Sequence, residues 1–340
     1  MSDRVLVTGA TGFIGHHLVE TLLDKGVQVA CLVRPTSDTS ILPVEKLDLR
    51  IGDVTDPASL EAAVREVDVV YHLAGALEGR SLADLNTVNE AGPRNVARAC
   101  AALQTPPVLI LLSSLEAAGP DVAGRLRTEA DPSAPVSNYG RSKLAGELVV
   151  NEFADAVPIT IVRASAVFGE RDPQTLALFK AFRIAGLGIH PLPRAHSTKV
   201  SVIHSSDLAT HLRAAAANGE RLQSDSDVPG EGLYYAAYEE ALSLAELIGM
   251  AAEALGEQRV WIIDVPIAFA WTVAGASETW ARLRGRSPGI INLDKVRSAA
   301  AGSFTCSPEK SQRQLGFVPG HSLSYRIGQT VAWYQAKGLL

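Results

Sequence analysis

Several side chains in the middle of the chain have the types and the spacing of a proton-transfer site. Ser113 and Ser114 end an apolar run. Tyr139 and Lys143 follow in a Tyr-x-x-x-Lys pattern, and residues four apart share one face of a helix. A tyrosine has an ordinary pKa of about 10, and a neighbouring ammonium favours its phenolate. We therefore expect Tyr139 to exchange a proton with a substrate oxygen that Ser114 binds.

A glycine turn near the N-terminus has the spacing of a phosphate-binding loop. Gly9, Gly12 and Gly15 form a G-x-x-G-x-x-G pattern, a variant of the dinucleotide-binding fingerprint. Gly9 permits the tight turn, Gly12 lets the backbone approach a pyrophosphate, and Gly15 lets the next helix pack closely on the strand. The amides at the start of that helix then point at the phosphates. Because a strand pattern precedes the glycines and a helical pattern follows, a dinucleotide site is favoured over a plain turn.

The elements that must position these residues alternate along the first half of the chain. Alternating strand and helix patterns are typical of βαβ units and predict a parallel sheet with helices on both faces. After the first strand, strands are predicted at residues 27–33, 47–51, 67–72, 107–113 and 159–163, and helices at 56–65, 82–103 with a break near Gly92-Pro93, and 138–153. A Tyr-x-x-x-Lys pair alone is more often an accidental surface pair. The alternating strands and helices around Tyr139 and Lys143 make this pair a strong candidate for a catalytic site.

These patterns predict an α/β fold, a doubly wound parallel sheet of the Rossmann type with a smaller C-terminal α/β substrate lobe. Residues 1–169 would form the dinucleotide-binding domain, with its sheet completed by parts of residues 200–235, and residues 170–340 would form mainly the substrate-binding lobe. In the second half, helices are predicted at residues 176–185, 207–217, 243–255, 267–283 and 323–336.

The most apolar later stretch covers residues 261–280. It contains Asp264, Pro266 and Glu278, and its uninterrupted middle is shorter than the about 20 apolar residues of a membrane span. We expect a strand end and then a helix buried in the second lobe or at an interface, and we favour a membrane-resting surface less. Its aromatic residues could line an apolar pocket, although core packing is favoured for each of them: Trp261, Phe269, Trp271 and Trp280. The nearby arginines at 282, 284 and 286 are interpreted as a solvated group.

Composition limits the partners of this chain. Its 340 residues carry a formal net charge of −6 with no dense block of Lys or Arg, which gives no support to a nucleic-acid or anionic-membrane partner. The start, Met-Ser-Asp-Arg, lacks a signal-peptide pattern, so a cytoplasmic location is expected. The histidines show no metal-ligand spacing, and no metal site is predicted.

The end of the second strand bears on the choice of dinucleotide. An acidic residue there binds the ribose 2′-hydroxyl of NAD, whereas an arginine accommodates the 2′-phosphate of NADP. Arg34 occupies this place, and no carboxylate follows before Asp38. We therefore expect NADP, with NAD as the alternative.

Over nearly its whole length the chain resembles the extended short-chain dehydrogenase/reductase family, also called the NAD-dependent epimerase/dehydratase family. The matching pieces are residues 8–15, Gly52-Asp53-Val54, residues 71–75, Asn89, Ser113-Ser114, Tyr139 with Lys143, Arg163 followed by residues 167–169, and residues 202–204 before 207–209. The resemblance implies that Tyr139 is the general acid/base, that Lys143 also holds the nicotinamide ribose, and that Ser114 rather than Ser113 orients the substrate.

The resemblance also implies which residues contact the cofactor. Asp53 and Val54 would lie at the adenine, and Leu73, Ala74 and Gly75 beside the nicotinamide. For Asp53, an ordinary turn carboxylate is the alternative. The complete set of expected cofactor residues is Gly9, Thr11, Gly12, Phe13, Ile14, Gly15, Arg34, Asp53, Val54, Leu73, Ala74, Gly75, Asn89, Tyr139 and Lys143.

Two departures from the family pattern bear on the substrate. Nucleotide-sugar epimerases of this family usually carry an asparagine where this chain has Ala166, and tend to carry an arginine where it has Val200. Losing an amide donor and a guanidinium removes contacts that a sugar diphosphate needs. The chain therefore resembles more closely the branch of 3β-hydroxysteroid dehydrogenases and dihydroflavonol reductases.

The favoured function is an NAD(P)-dependent oxidoreductase that interconverts a carbonyl and a secondary alcohol on a fairly apolar small molecule. The alternative is a nucleotide-sugar epimerase or dehydratase that retains NAD. A non-catalytic cofactor-sensing protein is disfavoured by the intact Ser114, Tyr139 and Lys143. By family analogy a homodimer would form through the helices at residues 91–103 and 139–153, although packing within a monomer would give the same pattern.

Overall fold

The computed structural model describes residues 4–122, 124–181, 189–257, 261–284 and 292–340. Its strands are β1 (Arg4–Thr8), β2 (Gln28–Val33), β3 (Asp48–Ile51), β4 (Val69–His72), β5 (Val108–Ser114), β6 (Ile159–Ala164), β7 (Ala166–Phe168), β8 (Ile189–Pro193), β9 (Lys199–His204), β10 (Leu233–Ala236), β11 (Ala241–Ser243) and β12 (Trp261–Val265).

The helices alternate with the strands in the first half and dominate the second. They are α1 (Phe13–Leu23), α2 (Pro57–Ala63), α3 (Leu82–Asn89), α4 (Ala91–Ala101), α5 (Leu115–Ala118), α6 (Asn138–Asn151), α7 (Pro173–Ala181), α8 (Ser205–Asn218), α9 (Leu244–Leu255), α10 (Ile267–Leu283), α11 (Leu293–Ala301), α12 (Glu309–Leu315) and α13 (Leu323–Ala336). A short 3₁₀ turn, Val44–Lys46, precedes β3.

Within the described residues, a seven-stranded sheet has the order β10-β6-β5-β4-β1-β2-β3, and its strand pairs are parallel. The order reverses beside β1, and ligands of such sheets bind at the carboxyl ends of the strands at that point. Two apolar clusters cover its two faces, one containing Val5 and Val7 and the other containing Leu6. The fold therefore confirms the predicted doubly wound α/β sheet.

The second half contributes both to this sheet and to a smaller region. β10 pairs with β6 at the sheet edge, while β7, β9 and β11 form a separate three-stranded sheet, and β8 pairs with β12. A third apolar cluster packs α9 against α13. The division of the chain at residue 169 stays a prediction.

Buried polar contacts join this smaller region to the large sheet. Arg326 of α13 donates to both carboxylate oxygens of Asp207, at 2.9 and 2.8 Å. The Tyr238 hydroxyl donates to the same carboxylate at 2.6 Å. His204, at the end of β9, lies 3.1 Å from the carboxylate of Glu170. The Arg326–Asp207 pair fixes α13 against α8, which packs on the large sheet.

Some boundaries differ from those predicted. The helical pattern at 82–103 breaks at Glu90, before the Gly92-Pro93 pair, because proline is tolerated in the first turn of α4. α7 begins at Pro173 rather than 176, and the predicted end of that helix at 185 lies outside the described residues. The patterns at 293–301 and 309–315 gave no predicted helix, yet they form α11 and α12.

The apolar stretch at 261–280 forms a strand and then a helix, as predicted, but it is not buried. Trp261, Phe269 and Trp280 have 65%, 56% and 58% of their surface exposed. The expectation of core packing for these three side chains is therefore wrong. In the described ranges, no helix combines the length and the apolar character needed to cross a bilayer.

Candidate active site

The glycine turn after β1 has the close contacts that its spacing predicts. Gly9 has a φ of +74°, and a Cβ there would lie 2.7 Å from the Ala74 nitrogen. A Cβ on Gly15 would clash with the Gly9 carbonyl and would lie 2.8 Å from the Cα of Ala10. Only glycine fits these two positions, because each backbone approaches another backbone more closely than a side chain allows.

The surface beside this turn fits a pyrophosphate. Gly12 is exposed and stands at the N-cap of α1, with no side-chain cap and no acidic residue in the first turn. The positive end of the helix dipole therefore faces an open, uncharged backbone surface, which suits an anion. Thr11 and Ile14 are half-buried in the same turn, and Phe13 packs edge-on against His17.

The loop after β4 is held against the glycine turn by Thr8. Its hydroxyl accepts from the Ala74 amide at 3.2 Å and hydrogen-bonds His72 at 2.8 Å. Burial lowers the pKa of His72 to about 3, so its imidazole is neutral at physiological pH. Leu73 and Ala74 are half-buried here, and Gly75 is exposed. The loop is therefore rigidly placed beside the proposed dinucleotide site.

Asn89 connects this loop to the helix that carries the tyrosine. Its side chain exchanges two hydrogen bonds of 2.8 Å with the backbone of Ala76. It also donates to the Ser142 hydroxyl at 2.9 Å, and Ser142 in turn donates to the carbonyl of Tyr139 at 2.8 Å. Asn89 acts here as a clamp between loop and helix, and it is buried.

The predicted Ser114, Tyr139 and Lys143 converge at the carboxyl end of the sheet. Ser114 is the last residue of β5, and its hydroxyl accepts a hydrogen bond from the Glu116 amide. The Tyr139 hydroxyl is hydrogen-bonded to Ser114. Lys143, one turn along α6, donates to the Leu112 carbonyl at 2.7 Å. A Cβ on Gly75 would lie 3.9 Å from the Lys143 ammonium, so the ammonium borders the loop after β4.

Burial sets the protonation of this group. It raises the pKa of Tyr139 to about 12, opposed by the Ser114 hydrogen bond and reinforced by the carboxylate of Glu116. That Lys143 together with an oxidised nicotinamide favours the Tyr139 phenolate stays a prediction. Burial lowers the pKa of Lys143 to about 8, and the Glu147 carboxylate opposes that shift. Tyr139 is therefore a phenol at neutral pH and can donate a proton.

The neighbouring Ser113 has a different environment. Its hydroxyl donates to the Glu147 carboxylate. That carboxylate also pairs with Arg163, whose Nε and Nη2 donate at 2.9 and 2.6 Å. All three side chains are buried. A hydroxyl held in this charge network is not available to a substrate, which favours Ser114 for that role.

At the other end of the site, Arg34 and Asp53 follow β2 and β3. Arg34 is exposed, and its charge contributes to the lowered pKa of Asp53, after the larger effect of hydrogen bonding from Thr55. One Asp53 oxygen accepts from both the amide and the hydroxyl of Thr55 at 2.8 Å, which is an ordinary turn contact. Val54 is buried beside them.

Sequence reasoning missed the residues that cover the start of α6. Asp294 of α11 accepts from the amides of Asn138 and Tyr139, at 2.7 and 3.0 Å. Ser298, one turn further, donates to Glu116 at 3.0 Å. Burial raises the pKa of Glu116, and the Asp294 charge adds to that shift. An Asn-x-Asp helix start at residue 292 was the available signal, but nothing local indicated its partner.

A parallel sheet with a glycine turn and a Ser-Tyr-Lys group at its carboxyl end defines a dinucleotide-dependent enzyme of the extended short-chain dehydrogenase/reductase type. The model of the NAD dependent epimerase/dehydratase family matches residues 5–228. The chain belongs to that family, and it is an oxidoreductase.

Curated relatives align along almost the entire chain. It is 30% identical over 337 residues to a ceramide reductase of Caulobacter vibrioides, covering 99% of this chain and 96% of the relative. It is 27% identical over 353 residues to a 3 beta-hydroxysteroid dehydrogenase/Delta 5-->4-isomerase of Mycobacterium tuberculosis, covering 97% and 90%. The UDP-glucose 4-epimerase of Thermus thermophilus in complex with NAD shares the fold, with a TM-score of 0.73, 24% identity, and 98% and 99% coverage.

Proposed function

We propose that this protein reduces a carbonyl, or oxidises the corresponding secondary alcohol, on an apolar small molecule. The observation that carries the proposal is the hydrogen-bonded pair of Ser114 and Tyr139, with Lys143 one turn along the same helix and its ammonium beside the loop after β4. A bound nicotinamide would supply or accept the hydride. The chain's own residues supply the proton and hold the substrate oxygen.

We assign each of the three residues a part in this proposed reaction. Tyr139, a phenol at neutral pH, gives its proton to the substrate oxygen during reduction. Ser114 hydrogen-bonds that same oxygen and aligns it with the phenol. Lys143 uses one N–H donor for the Leu112 carbonyl, and its remaining donors would bind the nicotinamide ribose. Its positive charge would stabilise the phenolate that forms when Tyr139 gives up its proton.

An apolar substrate is supported by the chain and by its relatives. Ala166 starts β7 and is exposed, and Val200 packs with the third apolar cluster, so neither offers a polar group to a sugar diphosphate. The named relatives act on a ceramide and on 3β-hydroxysteroids. We infer that the substrate is lipid-like, with its oxygen on a largely hydrocarbon skeleton.

The decisive experiment replaces Tyr139 by phenylalanine. We expect Tyr139→Phe to lower kcat for NADPH-dependent reduction of lipid-like ketones by at least about a hundredfold, because it removes only the proton donor. Tyr325→Phe is the matched control, since Tyr325 is exposed on α13 and its loss should leave kcat unchanged. Retention of most turnover by Tyr139→Phe would refute the mechanism. Turnover of UDP-glucose without net change in NADPH absorbance would instead support the epimerase alternative.

We propose that NADP is preferred, although the family is named for NAD. Arg34 is exposed at the end of β2, and the Ser37 hydroxyl accepts from its amide at 3.1 Å. The next carboxylate, Asp38, accepts from the Ser40 amide at 2.9 Å within its own loop. A guanidinium and a hydroxyl are suited to a 2′-phosphate.

Arg34→Ala tests this preference. We expect it to raise KM for NADPH by about tenfold or more and to change KM for NADH little, because only NADPH carries the charge that Arg34 would pair. Lys46→Ala removes an exposed cation from the nearby 3₁₀ turn and serves as the control. A wild-type preference for NADH, or equal effects on both cofactors, would contradict the assignment.

A further inference from the structure

Helix α10 presents a long uncharged face to solvent. Its exposed residues in the described part of the chain are Ala268, Phe269, Thr272, Val273, Ala276, Thr279, Trp280 and Leu283. From Phe269 onward these positions recur at intervals of three and four, so they form a stripe of about 21 Å along one side of the helix. An exposed helix face normally carries charges, and none of the exposed residues described on α10 is charged.

The two threonines do not make the stripe polar. Thr272 donates its hydroxyl proton to the Ala268 carbonyl at 3.0 Å, and Thr279 donates to the Gly275 carbonyl at 2.8 Å. Both donors are therefore used within the helix, and the side chains add methyl groups to the surface. The α10 stripe is thus almost entirely hydrocarbon and aromatic, which marks an interaction surface rather than a solvated one.

The C-terminal end of the stripe has a different chemistry. The guanidinium of Arg284 lies 4.2 Å from the centre of the Trp280 ring. The sequence continues this basic character, with arginines at 282, 284 and 286. Tryptophan favours the boundary between hydrocarbon and headgroups, and arginine favours anionic headgroups. An apolar stripe that ends in a Trp-Arg pair therefore offers both the apolar and the cationic groups that bind the interface of an anionic membrane.

The neighbouring strand strengthens this reading of the surface. Trp261 and Ile263 are two residues apart on β12, so they share one face, and they have 65% and 50% of their surface exposed. They directly precede α10. Asp264, which follows Ile263, is not an unpaired charge at this surface, because it accepts from the Ala195 amide at 2.6 Å and lies 3.0 Å from His196.

We propose that α10 docks this protein on the surface of an anionic lipid membrane, lying in the interface without crossing it. The α10 stripe enters the headgroup region, and Arg284 pairs with lipid phosphates. α10 also leads to the catalytic helix, since Glu278 accepts from the Leu293 amide at 3.3 Å and α11 caps α6 through Asp294. If the proposed lipid-like substrate is correct, docking brings its source next to the site, but docking itself does not depend on that function.

Flotation with vesicles tests the proposal. We expect the full chain to float with vesicles of phosphatidylcholine mixed with phosphatidylglycerol, and less with phosphatidylcholine alone. Phe269→Ser combined with Trp280→Ser should weaken binding by about tenfold or more, because it removes two aromatic anchors. Arg284→Glu should weaken binding to the anionic vesicles only, and raised salt should have the same effect. Val228→Ser combined with Val318→Ser, at exposed sites elsewhere, is the matched control.

Three results would overturn membrane docking. The first is a wild-type protein that stays with the unbound fraction, and the second is a Phe269→Ser, Trp280→Ser variant that floats as well as wild type. The third is a dimer, seen by light scattering, that this double variant converts to a monomer without any vesicle binding, since the stripe would then be covered by a second copy. Thermal unfolding of each variant verifies that it is folded. Turnover of a water-soluble ketone by a non-floating protein would separate failure of docking from failure of the proposed function.

Discussion

Tyr139 and Lys143 show how far local spacing determines chemistry. Their separation of four residues on α6 and the strand end at Ser114 were both readable from the sequence, because each is encoded within one element. The upward shift of the Tyr139 pKa was not readable from the sequence, because it depends on desolvation by residues far away in the chain. For the same reason Glu116 was missed, since it lies beside Tyr139 only after folding.

The lowered pKa of Lys143 predicts a pH dependence. Its value of about 8 means that the ammonium loses its proton as pH rises through 8, whereas Tyr139, with a pKa of about 12, stays protonated. We therefore expect kcat/KM for carbonyl reduction to be constant near neutral pH and to fall above about pH 8. A pH-rate profile measures this. Lys143→Arg, which keeps its charge at all these pH values, should lose the falling limb if it remains active.

A wild-type profile that stays flat well above pH 8 would contradict this role for Lys143. Tyr325→Phe is the control, because Tyr325 is exposed and distant in sequence from the site. If this variant also shifted the pH at which kcat/KM falls, the fall would reflect an indirect effect of the fold.

At the scale of elements, the start of α6 is completed by a helix from the other half of the chain. The Ser137 hydroxyl caps the Gly140 amide at 3.0 Å. The two amides before it are bound by Asp294. A carboxylate at a helix N-terminus also interacts favourably with the helix dipole. α6 therefore starts at a fixed place, and the Tyr139 backbone with it.

Removing this cap should loosen the catalytic helix. We expect Asp294→Ala to lower the free energy of unfolding by about 1–2 kcal/mol and to lower kcat more than it raises KM, because Tyr139 shifts relative to Ser114. Thermal unfolding and steady-state kinetics measure the two effects. Asp294→Asn, which keeps one acceptor but no charge, should fall between Asp294→Ala and wild type.

Glu253→Gln removes an exposed carboxylate from α9 in the same region and should change neither quantity. The cap would be dispensable if Asp294→Ala kept both the stability and the kcat of wild type, and merely structural if it lost stability with kcat unchanged.

Element prediction succeeded where apolar periodicity was strong and failed where it was weak. Strands β1, β2, β4, β5 and β6 are largely buried and carry clear apolar patterns, and their predicted bounds lie within a few residues of those observed. α12 consists of Glu-Lys-Ser-Gln-Arg-Gln-Leu and shows no apolar period, so its packing against α8 was invisible. The exposure of α10 was not predicted for a different reason. An apolar helix pattern does not say which partner covers the helix.

In the whole molecule, buried polar contacts join elements that are far apart in the sequence. Arg326 of α13 and Asp207 of α8 form a bidentate pair across 119 residues. This pair holds α13 against α8, which packs on β5 and β6 of the large sheet. The sequence predicted these elements but not the contact between them, because charged residues at distant positions give no periodic signal.

A homodimer through α4 and α6 remains a prediction with a specific test. Leu148 lies on α6 with 63% of its surface exposed, as a dimer through that helix would require. We expect Leu148→Asp to shift the protein from dimer to monomer in light scattering, because it would place two unpaired carboxylates in the interface. Val228→Asp, also at a site with 63% exposure but in a loop, should leave the assembly unchanged. A wild-type monomer at all concentrations would refute this interface.

The contact between Asp294 and the start of α6 also affects the order in which the chain can fold during its synthesis. A ribosome releases the chain from its N-terminus, so the sheet and the tyrosine emerge early. The carboxylate that completes the catalytic helix follows Tyr139 by 155 residues. The growing chain can thus form the glycine turn well before Asp294 is present to fix the start of α6.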